Sequence, residues 1–465
     1  MTKAWRPEGP RPPGTPRHEW LSKAIANDIA AGRLRPGEVL PPQRELADTL
    51  GVALGTVTRA YASARRRGLV VGQRRRGTVV ASPRPVANPL ASLVGAPSAT
   101  VDLAANLPLH AADPDPSPAL REIAGRPDVR QLLRYPPPEG LERHRGAAAT
   151  WLREQALPVQ AEDILLVGGV QHGLFVALSA LMRAGDTLLV EALTYPGVLA
   201  VARLLGLDVR GVEIDEDGLV PEALERALSE TGARALYCVP TLHNPTTAML
   251  PPDRRAAVVD IIARHHALII EDEIHRPLVP RPHTSMFALA REHTVLVHGT
   301  SKGVAGGLRL GFLAAAPRFH PELRSSIQAS AFATSPLGAE VFATWLEDGT
   351  LAETVARKRE QARRRIRQVH RAFEGVPAIS VRADPRGYIA WVRLTDQRDA
   401  ATVAAEALAR GVRVLPRGEF QPEPTVPADA FRLCVGSAED ETQLDGALHV
   451  LRTLLIEAPK AIPVF

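Results

Sequence analysis

Of the 56 lysines and arginines in the chain only five are lysines: Lys3, Lys23, Lys302, Lys358 and Lys460. Lys302 lies in HGTSKGVAGGLRLGFL, among small or apolar neighbours. Such a setting desolvates an ammonium and lowers its pKa, which suits a nucleophilic amine. Arg309 follows seven residues later, across a Gly-Gly turn. A lysine able to form a Schiff base and an arginine able to grip a phosphate make a chemically meaningful pair, although Lys-x6-Arg occurs often by chance.

Further residues supply what such a pair would need, in consistent chain order. Asp272, in EDEIH at the end of the apolar run ALII, is placed to hold a protonated heterocyclic nitrogen, and beside Glu271 and Glu273 a cationic partner is expected. Asn244 in HNPT offers a donor to a ring hydroxyl oxygen. Gly168-Gly169-Val170-Gln171-His172-Gly173 joins a strand-like run to a helix-like one, so Gly169, Val170 and Gln171 can offer backbone N–H groups to a phosphate. Tyr195 in EALTYPG can cover a ring face, and Arg432 in FRLCVG can bind a carboxylate. Together these are the requirements of pyridoxal 5′-phosphate (PLP), whose protonated ring acts as an electron sink.

Short apolar runs near 164–167, 187–190, 209–214, 234–239, 267–271, 295–298 and 311–315 alternate with helical or turn segments. That alternation predicts an α/β body with an open, mainly parallel sheet covered on both faces. After about residue 320 the chain turns helical, and the strand candidates YIAWVRL and FRLCV with a final helix predict a smaller C-terminal part. The arginines 363–365 read as a solvated helix face, and Cys238 and Cys434 as buried small apolar residues.

The first 84 residues carry 16 lysines and arginines against 6 acids, a net of +10; the whole chain is +5, so the remainder carries −5. A basic head on an acidic body predicts a head that meets polyanions. Residues 1–17 read as a disordered proline-rich tail, 18–81 as the head, 82–118 as a Pro-rich linker and 119–465 as the body. Within the head, Pro41-Pro42 precede QRELADTL, Gly51 closes it, and GTVTRAYASARRRG follows. Two helices joined by a short glycine-containing turn are the helix-turn-helix pattern. LVVGQ and GTVVA then flank Arg74, Arg75 and Arg76, a hairpin with a basic tip. No apolar run approaches the ~20 residues of a membrane span, and no apolar leader is seen. Two cysteines make no disulfide framework, so a reducing cytoplasm is expected. His243, His265, His266 and His283 lack regular ligand spacing, so no metal site is expected.

The head resembles the GntR-type winged helix-turn-helix, through G-R-L-x-P-G at Gly32–Gly37, L-P-x-x-R-E-L-A at Leu40–Ala47 and the Gly77-Thr78 wing end. The resemblance implies a dimer on a double-stranded operator with two half-sites, with Arg44, Thr56, Thr58 and Arg59 facing groove and backbone and Arg74–Arg76 neutralising phosphates. Where that family commonly has Ser-Arg opening the recognition helix, this chain has Ala53 and Leu54, which predicts an unusual operator preference. From about 100 to 460 the body resembles the fold-type I, aspartate aminotransferase-like PLP enzymes, and the whole chain resembles a MocR-type regulator. This implies a head-to-tail homodimer in which Tyr135 of RYPPPEG reaches the neighbour's cofactor phosphate. Gly140 and Arg145 match G-x-x-x-L-R, with His144 in place of its leucine. His275 replaces the tyrosine of D-x-x-Y and would change charge near neutral pH. Gly299 replaces a serine that often contacts phosphate, leaving the hydroxyls of Thr300 and Ser301, and Thr247 replaces the glycine of N-P-T-G.

The expected function is a cytoplasmic, PLP-dependent transcriptional regulator that answers a small amine, amino acid or vitamin B6 species through an internal aldimine at Lys302. The alternative is a competent aminotransferase that carries a DNA-binding domain.

Overall fold

The computed structural model describes residues 5–7, 10–12, 14, 16–31, 33–35, 37–66, 69–73, 77–80, 100–396, 398–422 and 429–457. The chain divides into two compact units, Met1–Ala87 and Asn88–Phe465.

In the head, α1 (Arg17–Ala30), α2 (Gln43–Leu50) and α3 (Leu54–Arg66) precede the antiparallel hairpin β1 (Val70–Gln73) and β2 (Gly77–Val80). Pro42 at φ −52° leads into α2, and Gly51 at φ 60° ends it in the left-handed region that a residue without Cβ enters freely. Leu21, Ile25, Leu46, Val57, Ala60, Tyr61 and Val80 close the core, and the Tyr61 hydroxyl donates to the Pro41 carbonyl at 2.9 Å. The stretch before α2 joins the hairpin, Leu40 N–H donating to the Thr78 carbonyl at 2.8 Å and Val80 N–H to the Glu38 carbonyl at 2.7 Å. The wing tip at Arg74, Arg75 and Arg76 lies outside the described residues. The tail is not wholly apart from the head: Trp5 packs on the head core and its indole N–H donates to Asp28 at 2.7 Å.

The body follows in chain order as β3 (Val101–Asp102), α4 (Ser117–Gly125), α5 (Glu142–Arg153), β4 (Ile164–Val167), α6 (Val170–Leu181), β5 (Thr187–Glu191), α7 (Pro196–Leu204) and β6 (Asp208–Val212). A small hairpin, β7 (Ile214–Asp215) and β8 (Gly218–Leu219), leads to α8 (Pro221–Thr231), β9 (Ala235–Cys238), α9 (Pro252–Arg264), β10 (Leu268–Asp272), α10 (Met286–Leu289), β11 (Thr294–Gly299) and β12 (Gly311–Ala314). After them come α11 (His320–Ser330), α12 (Pro336–Glu347), α13 (Thr350–Phe373), β13 (Ile379–Ala383), β14 (Ile389–Leu394), α14 (Ala400–Ala409), β15 (Val412–Arg413), β16 (Leu415–Pro416), β17 (Ala430–Cys434) and α15 (Glu441–Ile456).

Seven of the described strands form one sheet in the order β4-β12-β11-β10-β9-β5-β6, parallel except for β12. Alternate residues feed opposite faces: Leu165 and Val167 join one apolar cluster, Ile164 and Leu166 another. Such two-sided burial explains why these strands read as continuous apolar runs. The smaller part is the antiparallel sheet β13-β14-β17-β16 packed on α13, α14 and α15.

Two sequence expectations need correction. The linker read over 82–118 ends earlier, because β3 pairs in parallel with β15 and α4 begins at Ser117. Of the arginines 363–365, Arg365 is buried, its Nη1 donating to the carbonyls of Val435 and Ala438 at 2.7 and 2.8 Å. Those carbonyls follow the end of β17, so the residue caps a turn that the helical periodicity of α13 does not reveal.

Candidate functional site

The parallel strands end together, and the loops leaving them carry the predicted residues. Asp272 closes β10, buried, with Tyr237 of the adjacent β9 donating to Oδ2 at 3.0 Å and Ile274 N–H donating to Oδ1 at 3.1 Å. Burial pushes its carboxyl up to about 7, against those two hydrogen bonds. Glu271 and Glu273 point to the other face of the strand. Glu271 accepts from the N–H groups of Met286 and Phe287, both at 2.8 Å, and Glu273 accepts from Arg255 at 3.1 Å and Arg276 at 3.2 Å. The three neighbouring carboxylates therefore do not share one cation, and Asp272 has neutral partners only.

Lys302 follows β11. Burial, assisted by Arg432, pushes its ammonium down to about 8, with Asp272 close enough to oppose the shift. Its Nζ donates to the Asn106 carbonyl, and its own carbonyl accepts from the buried Tyr388 hydroxyl at 3.1 Å. Arg432, on β17, is buried, donating to Asn244 Oδ1 at 2.7 Å and to the Ala104 carbonyl, with Phe420 stacked 4.8 Å from its guanidinium carbon. With Oδ1 of Asn244 taken by Arg432, its amide NH₂ is the side left to donate.

His275 is buried, and its Nε2 lies 3.4 Å from Asn106 Nδ2. Burial, reinforced by Lys302 and His243, pushes it down to about 3. The expectation of a charge changing near neutral pH is thus overturned: this imidazole stays neutral. Tyr195 immediately precedes α7 and its phenol is pushed up to about 12, by burial and then by Asp272. A Cβ on Gly197 would fall 2.2 Å from the Tyr195 ring and 2.4 Å from Gln171 Oε1, so that glycine lets both side chains lie over the backbone.

At the end of β4, Gly169 at φ 88° precedes α6, whose first-turn N–H groups have no intrahelical partners. A Cβ there would sit 2.7 Å from Arg309 Nη2, which donates to the Gly168 carbonyl at 3.1 Å. Val170 packs beside Gly299, where a Cβ would meet its Cγ2 at 3.2 Å. The Thr300 hydroxyl is within reach of the Leu310 and Ala305 carbonyls at 3.1 and 3.3 Å, so it serves the local turn; Ser301 is half-buried. Tyr135 does not join this set: it is 85% exposed and lies tilted against Phe332, with ring centroids 4.9 Å apart and planes inclined at 60°.

The residues 103–109, read from sequence as linker, run across the site. Besides the Ala104 and Asn106 carbonyls, the Leu103 carbonyl accepts from Cys434 N–H at 2.8 Å, and Lys358 donates to Leu109 at 3.1 Å and to Asp113. Neither this arm nor Tyr237 or Tyr388 was legible as part of the site, since none carries a motif. Among the described residues, Arg432 Nε, Gln171 Oε1, Thr194 Oγ1 and His275 Nδ1 are buried without a hydrogen-bond partner. No described helix is long and apolar enough to cross a membrane, and no group of His, Cys, Asp or Glu among the described residues could hold a metal ion. His265 is tied to Glu225 at 2.8 Å. His144 lies 2.7 Å from Glu340, which Arg126 and Arg143 also contact, a structural cluster.

In the head, Arg44, Thr58 and Arg59 are exposed and Thr56 is half-buried.

Residues 98–451 match the model of the aminotransferase class I and II family, and residues 19–80 that of the bacterial regulatory proteins of the gntR family. The chain is 30% identical to the HTH-type pyridoxine biosynthesis transcriptional regulator PdxR of Corynebacterium glutamicum, over 85% of this chain and 86% of that protein. The chain belongs to the MocR-type regulators. Another relative, the vitamin B6 salvage pathway transcriptional repressor PtsJ of Salmonella typhimurium, is 34% identical over 66% of this chain and 69% of that protein. Among solved structures, the body of this MocR-type chain shares its fold with the kynurenine aminotransferase of Pyrococcus horikoshii, at TM-score 0.75 and 23% identity over 82% of this chain and 96% of that one. LysN of Thermus thermophilus, an alpha-aminoadipate aminotransferase, gives TM-score 0.71 and 24% identity over 79% and 94%.

Proposed function

We propose that the protein is a DNA-binding transcriptional regulator that holds PLP at Lys302 and responds to a small amine, amino acid or vitamin B6 species. The observation that carries this reading is the meeting of Lys302, Asp272 and Arg432 beneath one arm of backbone, residues 103–109. The residues fit the cofactor. The absence of a Cβ on Gly169 lets the Arg309 guanidinium lie against the backbone at the start of α6, buried polar atoms of Arg432, Gln171, Thr194 and His275 lack partners, and both hydrogen-bond donors to Asp272 are neutral, which leaves its charge for a ring cation. When bound, PLP supplies an aldehyde for amines and an electron sink.

In this reading Tyr237 and Ile274 N–H orient the Asp272 carboxyl, Asn244 and the neutral His275 offer contacts to the ring oxygen, and Tyr195 covers a ring face. The Val170 and Gln171 N–H groups, with Arg309 and Ser301, would take the phosphate, while Gly169 and Thr300, whose N–H groups donate to the Val167 and Leu310 carbonyls at 2.8 and 3.1 Å, would shape the loops around it. Tyr135, exposed beside Leu133 and Phe332, would reach the phosphate of a neighbouring subunit in a head-to-tail homodimer.

The arm links ligand to head. A ligand carboxylate at Arg432 competes with the Ala104 carbonyl, and a group held by Lys302 competes with the Asn106 carbonyl. Displacing these carbonyls would favour another arrangement of the arm, a population shift driven by differential affinity. Footprinting of the DNA upstream of the protein's own gene, with and without PLP, tests it. The protected pattern is expected to change when PLP is added. An identical footprint, or none, would overturn the reading.

A further inference from the structure

The opening of α3 carries carbon where a DNA-reading helix needs a chemical code. In a helix-turn-helix the first residues of the second helix meet the base edges. Here Val57, Ala60, Tyr61 and Ala64 turn into the head core, while Ala53, Leu54, Gly55 and Thr58 are exposed. Leu54 is 42% exposed, whereas Leu21, Leu34, Leu40 and Leu46 are each buried. The nearest polar groups are already paired with each other: the Thr58 hydroxyl donates to Gln43 Oε1 at 2.8 Å, with the Leu54 carbonyl at 3.0 Å. Gln43, the first residue of α2, thus has one lone pair of Oε1 on Thr58, which fixes its amide beside Leu54 with the NH₂ left to donate.

A hydrocarbon surface beside an amide donor matches one base edge in the major groove. Thymine presents a C5 methyl next to the O4 acceptor; guanine presents two acceptors and no methyl, and cytosine a donor. Resting on the DNA-binding reading, we propose that the head selects operators by a thymine in each half-site, its methyl against Leu54 and its O4 toward Gln43 Nε2. The exposed Arg44 and Arg59 then serve the phosphates, in keeping with the net charge of +10 over the first 84 residues.

The test uses the full-length protein, loaded with PLP, and a library of random DNA duplexes. Selected sites are expected to hold a fixed thymine in each half. Replacing that thymine by uracil, which removes the methyl alone, is expected to weaken binding about fourfold per half-site, the worth of one buried methyl group. The variant Leu54→Ala is expected to bind thymine and uracil sites equally and to unfold at the same denaturant midpoint. Unchanged affinity for uracil at every selected thymine, fixed guanines with no fixed thymine, or discrimination retained by Leu54→Ala would each overturn the inference while leaving DNA binding intact. Recovery of no duplex at all would overturn the DNA-binding reading and this inference with it.

Discussion

Lys302 is half-buried and Lys358 buried, both lean on the same arm, and both have ammonium groups pushed down by desolvation. They differ in what they meet. Lys358 finds the Asp113 carboxylate and the Leu109 carbonyl, and the acid's charge opposes loss of its proton. Lys302 finds the Asn106 carbonyl, with Arg432 near enough to push it further down. The contrast teaches that burial alone does not make a reactive amine. A directly bonded anion turns a buried lysine into a tether, and a neutral acceptor leaves it free to shed its proton.

The largest expected effect comes from removing either amine in turn. Lys302→Met should abolish covalent incorporation of PLP, and Lys358→Met should retain it, as absorbance of the protein-bound cofactor would show. Incorporation lost equally in both variants would break the distinction. Next is Asp272→Asn, which removes a charge-assisted hydrogen bond of about 1.5–3 kcal/mol. PLP affinity should fall roughly 10- to 100-fold by titration. Lys358→Met should then lower stability by about 1–3 kcal/mol in urea unfolding, because the arm loses its anchor and Asp113 its partner.

The pH dependence sharpens the same comparison. An amine whose pKa is lowered to about 8 reacts as its free base. The initial rate of PLP incorporation should therefore rise about tenfold per pH unit below pH 8 and level off above it. A rise that continues unchanged to pH 10 would mean that Lys302 behaves as an ordinary exposed lysine. The smallest effect belongs to Tyr237→Phe, which deletes one hydrogen bond to Asp272. It should weaken PLP affinity by about 2- to 10-fold, corresponding to roughly 0.5–1.5 kcal/mol.

Much of the body was legible in sequence because its strands are buried on both faces. ILLV at Ile164–Val167 and the LLV of Thr187–Glu191 each stand out as continuous apolar runs, and the ends of β4, β5, β9, β10 and β11 carry the site residues. What escaped was whatever depends on direction or on distant partners. EDE in sequence is three equivalent acids; only the two-residue alternation of a strand sends Glu271 and Glu273 to one side and Asp272 to the other. Arg365 sits in a basic helical run, yet it caps carbonyls about 70 residues away in sequence. The residues from Val101 read as linker because prolines surround them, while their contribution is made by backbone carbonyls, which leave no trace in side-chain pattern. His275 looked titratable because sequence does not display burial.

The proposed function requires that Lys302, and not Lys358, bear the cofactor. Borohydride reduction of the PLP-loaded protein, followed by tryptic digestion and mass mapping, tests it directly. The phosphopyridoxyl label is expected at Lys302, with cleavage there blocked so that it appears on the peptide spanning residues 292–309. A label on the peptide containing Lys358, or no label anywhere, would contradict it.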